Sequence, residues 1–236
     1  MNYGELLSLA APETIVVVTA LLVLGVDLWR ARSQPLRQRM NLAVALGVLG
    51  CVASFLWMFY VPANEKILNG VLVVDPLTLL LKQALLVLSV FTLIISFEAD
   101  FTDHAGEYVA IMLLATVGMM FLVSSEDILM IFVALELTSL SLYILTAFNK
   151  RNIFSAEAAL KYFLIGSMSA AFTLYGLSLI YGLSGATNLV QIAAAMKGQS
   201  ADPLLFAAIV MTVMGFGFKV AAVPFHLWLP CYRYGN

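Results

Sequence analysis

Seven apolar runs, most of them about as long as a helix needs to cross a bilayer, constrain this chain more than any other feature. They cover about residues 12–29, 42–61, 76–97, 108–124, 127–148, 157–183 and 203–228, and short polar linkers separate them. Hydrocarbon offers no partner for backbone N–H and C=O groups, so such runs must satisfy their own hydrogen bonds as helices. Of the 236 residues, 62% are hydrophobic and only 11% are charged, against about 25% charged in a soluble domain. The expected fold is all-α: a polytopic transmembrane bundle of about seven helices forming one membrane domain, 1–236, with the lipid bilayer as its solvent. The net charge is −2 and no basic stripe exists outside short loops, which excludes nucleic acid as a partner.

The distribution of Lys and Arg orients the bundle. Arg30, Arg32, Arg37 and Arg39 follow the first run, Lys150 and Arg151 the fifth, and Arg233 the seventh. The opposite loops hold only Lys66 and Lys197. Positive residues stay in the cytoplasm, so the N-terminus is expected outside. The acidic loop Glu98–Glu107 weighs little in that rule. No Lys or Arg precedes Arg30, so a basic signal-peptide region is missing, and RARSQPLRQR reads as a stop-transfer flank. Cys51 and Cys231 form no CxxC and imply no disulfide framework; Cys51 reads as a small packing residue.

Against this apolar background a few charges stand out. Glu136 lies near the middle of the run Ile128–Phe148, and Lys219 lies in the run Pro203–Pro224. On insertion scales a charge at the bilayer centre costs roughly 2.5–3.5 kcal/mol, and such residues mark ion or proton pathways by default. Ser139 and Tyr143 follow Glu136 at spacings of three and seven, on one helical face. That polar stripe should face the bundle interior or a water-filled cavity; the competing reading is a protonated, structural Glu. Pro224, five residues after Lys219, removes a backbone donor and should break the seventh helix. A Lys beside such a break can gain and lose a proton if desolvation and a carboxylate balance each other; otherwise it snorkels to the interface. His226, past the break, could relay a proton or simply cap the chain. Lys161 lies four residues after Glu157, the order that favours a local salt bridge, and a transport role explains it about as well. Lys82 reads as a snorkelling residue near the outer end of the third helix. Asp100, Asp103, His104 and Glu107 match no standard metal motif and read as a solvated or partner-facing loop. Gly166/Ala170, Ser167/Ala171, Gly215 and Gly217 are small residues expected at helix contacts.

No GxGxxG follows a strand, no cysteine cluster could hold an iron–sulfur centre, and no His pair suggests haem. No cofactor is therefore expected on this chain, and any electrons must travel elsewhere.

Three segments resemble the proton-translocating antiporter-like subunits of respiratory complex I. They are GEYVAIMLLATVGMMFLVSSEDILMIFVALELTSLSLYILTAF at 106–148, SAEAALKYFLIGSMSAAFTLYGLSLIYGLSG at 155–185 and GFGFKVAAVPFHLW at 215–228. The first hundred residues fit more loosely, chiefly through helix count and the APE at 11–13. The resemblance implies three leading helices over 1–105, then the first of two inverted repeats over 106–236. It implies that Glu136 and Lys219 are proton-transfer residues, that Lys161 belongs to a sixth-helix KY motif, and that Pro224 sits in the broken seventh helix. It implies proton translocation in a bacterial inner membrane, coupled to electron transfer from NADH to quinone. NADH, FMN, iron–sulfur clusters and quinone would then be bound by partner subunits, with other membrane subunits of complex I as neighbours. A subunit of a cation/proton antiporter carries the same buried charges, and a non-conducting remnant would keep the interface helices. The family continues HLW-x-PD-x-Y-x-G into seven more helices, whereas this chain reads HLWLPCYRYGN and stops. The expectation is the N-terminal half of the fold, its first repeat incomplete.

Overall fold

The structure is a computed structural model that describes residues 8–31, 34–62, 65–67, 70–98, 102–197 and 202–223. Those residues fall into two compact units, Met1–Asn149 and Lys150–Asn236. Among them six helices are long and apolar enough to cross a membrane, and a seventh is apolar but shorter.

The first unit holds α1 (Ala11–Val26), α2 (Leu36–Trp57), α3 (Pro76–Ile95), α4 (Ala105–Val123) and α5 (Ile128–Thr146). Asp75 and Asp127 set two of the helix starts. The Asp75 carboxylate accepts from the Thr78 amide, and that of Asp127 from Leu129 and Met130, satisfying donors that would otherwise be orphaned in lipid. The hub is α4, which packs on α1, α2, α3 and α5. Half of its residues are buried, a larger share than in any other described span. Its Val109, Ala110, Leu113, Val117 and Met120 form one cluster with Val16, Ala20 and Val23 of α1, Ala43 and Cys51 of α2, and Leu86 and Leu93 of α3.

Between α2 and α3 the chain makes an antiparallel hairpin, β1 (Glu65–Ile67) and β2 (Leu72–Val74), where the hydropathy pattern gives only a linker. The hairpin is tied to the α4–α5 turn: the Val73 amide donates to the Ser124 carbonyl (2.7 Å) and the Glu126 amide to that of Gly70 (2.7 Å). At the opposite end Arg39 grips Asp27 with two parallel hydrogen bonds of 2.8 and 2.7 Å. Arg39 also donates to the Asp103 carbonyl (3.1 Å), and Asp27 accepts from the Gly106 amide (3.2 Å). Arg39, counted by sequence among the free loop arginines, therefore clasps the ends of α1, α2 and α4.

The second unit holds α6 (Ile153–Ser184), α7 (Leu189–Met196) and α8 (Pro203–Lys219). Side chains of Asn152, Asn188 and Asp202 cap the three starts, and Gly185, at φ 67°, closes α6. α7 is a short helix that hydropathy alone does not separate from its linkers. Of the two small-residue pairs expected on α6, Gly166/Ala170 is buried, whereas Ser167 and Ala171 are exposed. The buried seam follows Ser169, Thr173 and Gly176 instead.

Three helix crossings use one device, a glycine set against a threonine: Gly50 on Thr19, Gly118 on Thr138 and, twice between α6 and α8, Gly176 on Thr212 and Gly215 on Thr173. Each of these hydroxyls donates back to a carbonyl four residues earlier in its own helix, at 2.7 to 3.0 Å. The threonine is thereby satisfied, and the glycine lets the backbones meet where lipid provides no hydrophobic drive. A Cβ on Gly118 would stand 2.9 Å from the Ala134 carbonyl, and one on Gly176 would stand 2.8 Å from that of Ala208. Direct bonds add to the seam: Ser89 to Thr116 (2.7 Å) between α3 and α4, and Ser169 to the Gly215 carbonyl (2.9 Å) between α6 and α8.

Gly118→Ala should therefore destabilise the bundle by about 1–3 kcal/mol through overpacking. Adding Thr138→Ala should not restore it, because the Ala134 carbonyl remains in the way. Thermal aggregation in detergent measures both, and full rescue by the double variant would show that only the threonine side chain limits the approach.

Candidate functional site

In the first unit two places carry charge within the spans and away from the Asp27–Arg39 end. Glu136 sits at the middle of α5 and is half-buried, with Ser139 and Tyr143 buried on the same face behind it. Ser139 donates to the Leu135 carbonyl at 2.8 Å. The polar stripe thus turns inward at its later members, while Glu136 keeps part of its surface open.

The second place was not read from the sequence. Glu13, in the first turn of α1, and Lys82, on α3, form an ion pair with Nζ to Oε1 at 2.5 Å. Their side chains are 0% and 1% exposed. Lys82 therefore does not snorkel: it is directed into the bundle, where an acid meets it. Glu13 is favoured where it stands, because a carboxylate in a helix's first turn complements the helix dipole. A signal was present. Glu13 is the only charged residue between Glu5 and Asp27, and Lys82 the only one between Asp75 and Glu98, so each stands alone in its apolar run with an opposite charge available in the other. Periodicity could not reveal it, since α3 is apolar nearly all round.

In the second unit Lys161 forms the i,i+4 ion pair with Glu157, and both side chains are more than half exposed. Lys219 is the last residue of α8 and is half-buried. The apolar run extends to 228, and α8 stops at Lys219, in keeping with the break that Pro224 leads one to expect just after that residue. The Ala222 amide donates to the Gly217 carbonyl (2.8 Å) and that of Ala221 to Phe218 (3.0 Å). This is the paired closure that ends many helices, with the left-handed position filled by Ala221 at φ 52°. Glycine usually takes that position, and alanine there costs about 1–2 kcal/mol. Backbone strain of this kind collects at functional sites. Lys219 also completes α8 electrostatically, a cation in the last turn facing the negative end of the helix dipole. The Tyr162 and Phe218 rings lie 6.4 Å apart, so the turn of α6 that carries Lys161 and the end of α8 that carries Lys219 are neighbours. Pro224 and His226 lie outside the described residues.

The acidic loop is partly engaged in structure. The Asp103 carbonyl accepts from Arg39, and His104 pairs with Glu107 at 3.2 Å; Asp100 lies outside the described residues. No group of three His, Cys, Asp or Glu side chains is placed to hold a metal among the described residues.

Residues 125–232 match the family model described as NADH:quinone oxidoreductase/Mrp antiporter, transmembrane. The stretch contains Glu136, Lys161, Lys219, Pro224 and His226. NADH-quinone oxidoreductase subunit N 2 of Acidobacterium capsulatum is 44% identical over 239 residues, covering 98% of this chain and 48% of that protein. Over residues 125–232 the chain is thus similar to this antiporter-like family. A chain of respiratory complex I from Thermus thermophilus superposes with a TM-score of 0.71 at 27% identity, covering 92% of this chain and 45% of that one. A chain of the Mrp complex from Dietzia sp. DQ12-45-1b gives 0.68 at 21%, covering 94% and 43%, and shares the fold. The chain spans about half the length of the curated relatives it matches. The leading helices, with Glu13 and Lys82, lie outside the matched model region.

Proposed function

We propose that this chain forms the first half of a proton-translocating, subunit-N-like membrane component of NADH:quinone oxidoreductase. Glu136 carries the reading. An acid at the middle of an apolar span, half-buried with buried hydroxyls behind it, is expensive to keep, and such residues mark ion or proton pathways by default. The likeness to NADH-quinone oxidoreductase subunit N supports the same reading. Glu136 and Lys219 are the titrating groups. Quinone reduction in partner subunits changes the field within the membrane, and that change shifts the proton affinity of a buried acid and a buried base. Lys161, held by Glu157 in this chain, and His226 play lesser parts. The strained turn after Lys219 leaves irregular backbone at the end of an apolar helix, where ordinary helical bonding runs out and water or a polar side chain is required. The chain binds no cofactor; NADH, FMN, iron–sulfur clusters and quinone belong to partner subunits, and its neighbours are other membrane subunits of the complex. It is one membrane domain in the bacterial inner membrane, three leading helices followed from residue 106 by the first repeat.

Glu136→Gln keeps size and much of the hydrogen bonding but cannot ionise. In the full-length subunit within the assembled enzyme it should lower proton pumping coupled to NADH oxidation in membrane vesicles, while Glu136→Asp should be milder. Normal pumping by a normally assembled Glu136→Gln enzyme would make the residue structural.

The N-terminus is extracytoplasmic in this reading. In a cysteine-free background an impermeant thiol reagent should label Asn64→Cys in intact cells and spare Ser33→Cys; reversed labelling inverts the topology.

A further inference from the structure

The Glu13–Lys82 pair has no part in the reading above, and it is the most deeply buried charge in the molecule among the described ion pairs. Its location is defined. Glu13 is in the first turn of α1, and Lys82 lies six residues into α3 from Pro76, roughly 9 Å along the helix. Both are therefore near the hairpin end of the bundle, inside the protein and below its surface. α1 packs on α2 and α4, and so does α3, so the pair reaches between helices that are each seated without it.

A buried ion pair adds to stability only if its geometry is good and further hydrogen bonds satisfy the remaining lone pairs. This one lacks that support. Oε1 and Nζ are 2.5 Å apart, yet neither Glu13 oxygen has a well-directed hydrogen bond among the described residues, and both are inaccessible. Apolar residues of similar size would hold these helices as well or better. The arrangement is costly as architecture, and it leaves a carboxylate oxygen, Oε2, buried without a hydrogen bond among the described residues.

The other titratable groups on the elements around the pair stand apart or are engaged. Asp27, Arg37, Arg39, Glu107 and Tyr108 are at the opposite end of the unit, where Asp27 is bound by Arg39 and Gly106. Cys51 is a buried member of the core, and Tyr60 is 83% exposed. Asp75 and Asp127 cap α3 and α5, and the Glu126 amide is tied to Gly70. Glu136 is in the middle of α5, and Glu65 and Lys66 belong to β1. No cation other than Lys82 pairs with Glu13 among the described ion pairs.

We propose that Glu13 and Lys82 form a second proton-binding site, in the leading helices and separate from the residues of the matched family region. At rest the pair is carboxylate and ammonium. It takes up one proton on a Glu13 oxygen, giving a carboxylic acid beside the ammonium, and releases the same proton to return. No covalent bond other than O–H is made or broken, and no co-reactant is needed. The site exchanges protons with the hairpin side of the bundle, the extracytoplasmic side in the topology above. It rests on the proton-translocating reading of the chain.

The test uses the full-length subunit in its assembled complex, with two double variants that each remove both titrating groups and leave no unpaired charge. Glu13→Leu with Lys82→Met makes the site apolar; Glu13→Gln with Lys82→Gln keeps it polar. Assembly is read on native gels, pumping as protons moved per NADH oxidised, and site occupancy as the carboxylic-acid C=O infrared difference band that appears on acidification, shifts in D2O and is absent from the variants. The inference expects both to assemble, the pumped ratio to fall severalfold, and one such band to be lost. Unchanged pumping, or an unchanged band, in either assembled variant overturns it. So does failure of both to assemble, which would make the pair a folding element. Glu136→Gln runs in parallel: if it too pumps normally, the functional reading itself has failed, whereas a defect in Glu136→Gln alone removes only the second site.

Discussion

Lipid cannot hydrogen-bond a backbone, and most of what this chain does structurally follows from that. Every span must close its own ladder as a helix, and every helix start needs a partner for its free amides. Asp75, Asp127, Asn152, Asn188 and Asp202 supply those partners at five starts. Helices then have no hydrophobic reason to associate, so contact depends on close approach. The recurring glycine-on-threonine crossing answers that need in both units. It brings backbones together and buries a hydroxyl already satisfied by its own helix. Once the scaffold is held that way, charged residues are free of structural duty at most positions, and those that remain inside it call for an explanation.

The charges divide by the partners they find. Asp27 and Arg39 sit at a membrane-facing end and join three helices with directed bonds, the geometry in which an ion pair contributes to stability. Lys161 and Glu157 form a local, exposed pair worth a few tenths of a kcal/mol at most, or about 0.3–0.5 kcal/mol for such i,i+4 contacts in general. Glu13 and Lys82 are buried with poor direction, and Glu136 and Lys219 lie in apolar helices without an obvious architectural task. The last four are the groups on which the proposed proton transfer rests.

How much of this the sequence shows depends on how local the cause is. Spans are legible because hydropathy is a property of each segment alone; each of the seven apolar runs holds a helix among the described residues. The polar stripe of α5 was legible from spacing. Lys82 was misread because nothing in α3 tells which face meets α1, and the deciding partner is sixty-nine residues earlier in the chain. The end of α8 just after Lys219 was legible from the approach of Pro224, but its form was not, because the closure uses Ala221 in a conformation that sequence rules reserve for glycine. The glycine–threonine seams were missed for a related reason: small-xxx-small patterns mark a helix face, but the partner's threonine is visible only once the helices are paired.

The central claim is that buried charges in this chain carry protons and are not merely fixed counter-charges. Lys219 tests it most directly. In the full-length, assembled enzyme Lys219→Arg retains a positive charge but holds its proton too tightly to cycle at neutral pH, whereas Lys219→Ala removes the charge. Proton pumping coupled to NADH oxidation, with assembly verified on native gels, should be impaired in both. Normal pumping by a well-assembled Lys219→Arg enzyme would contradict the account, because a charge that never leaves would then be enough.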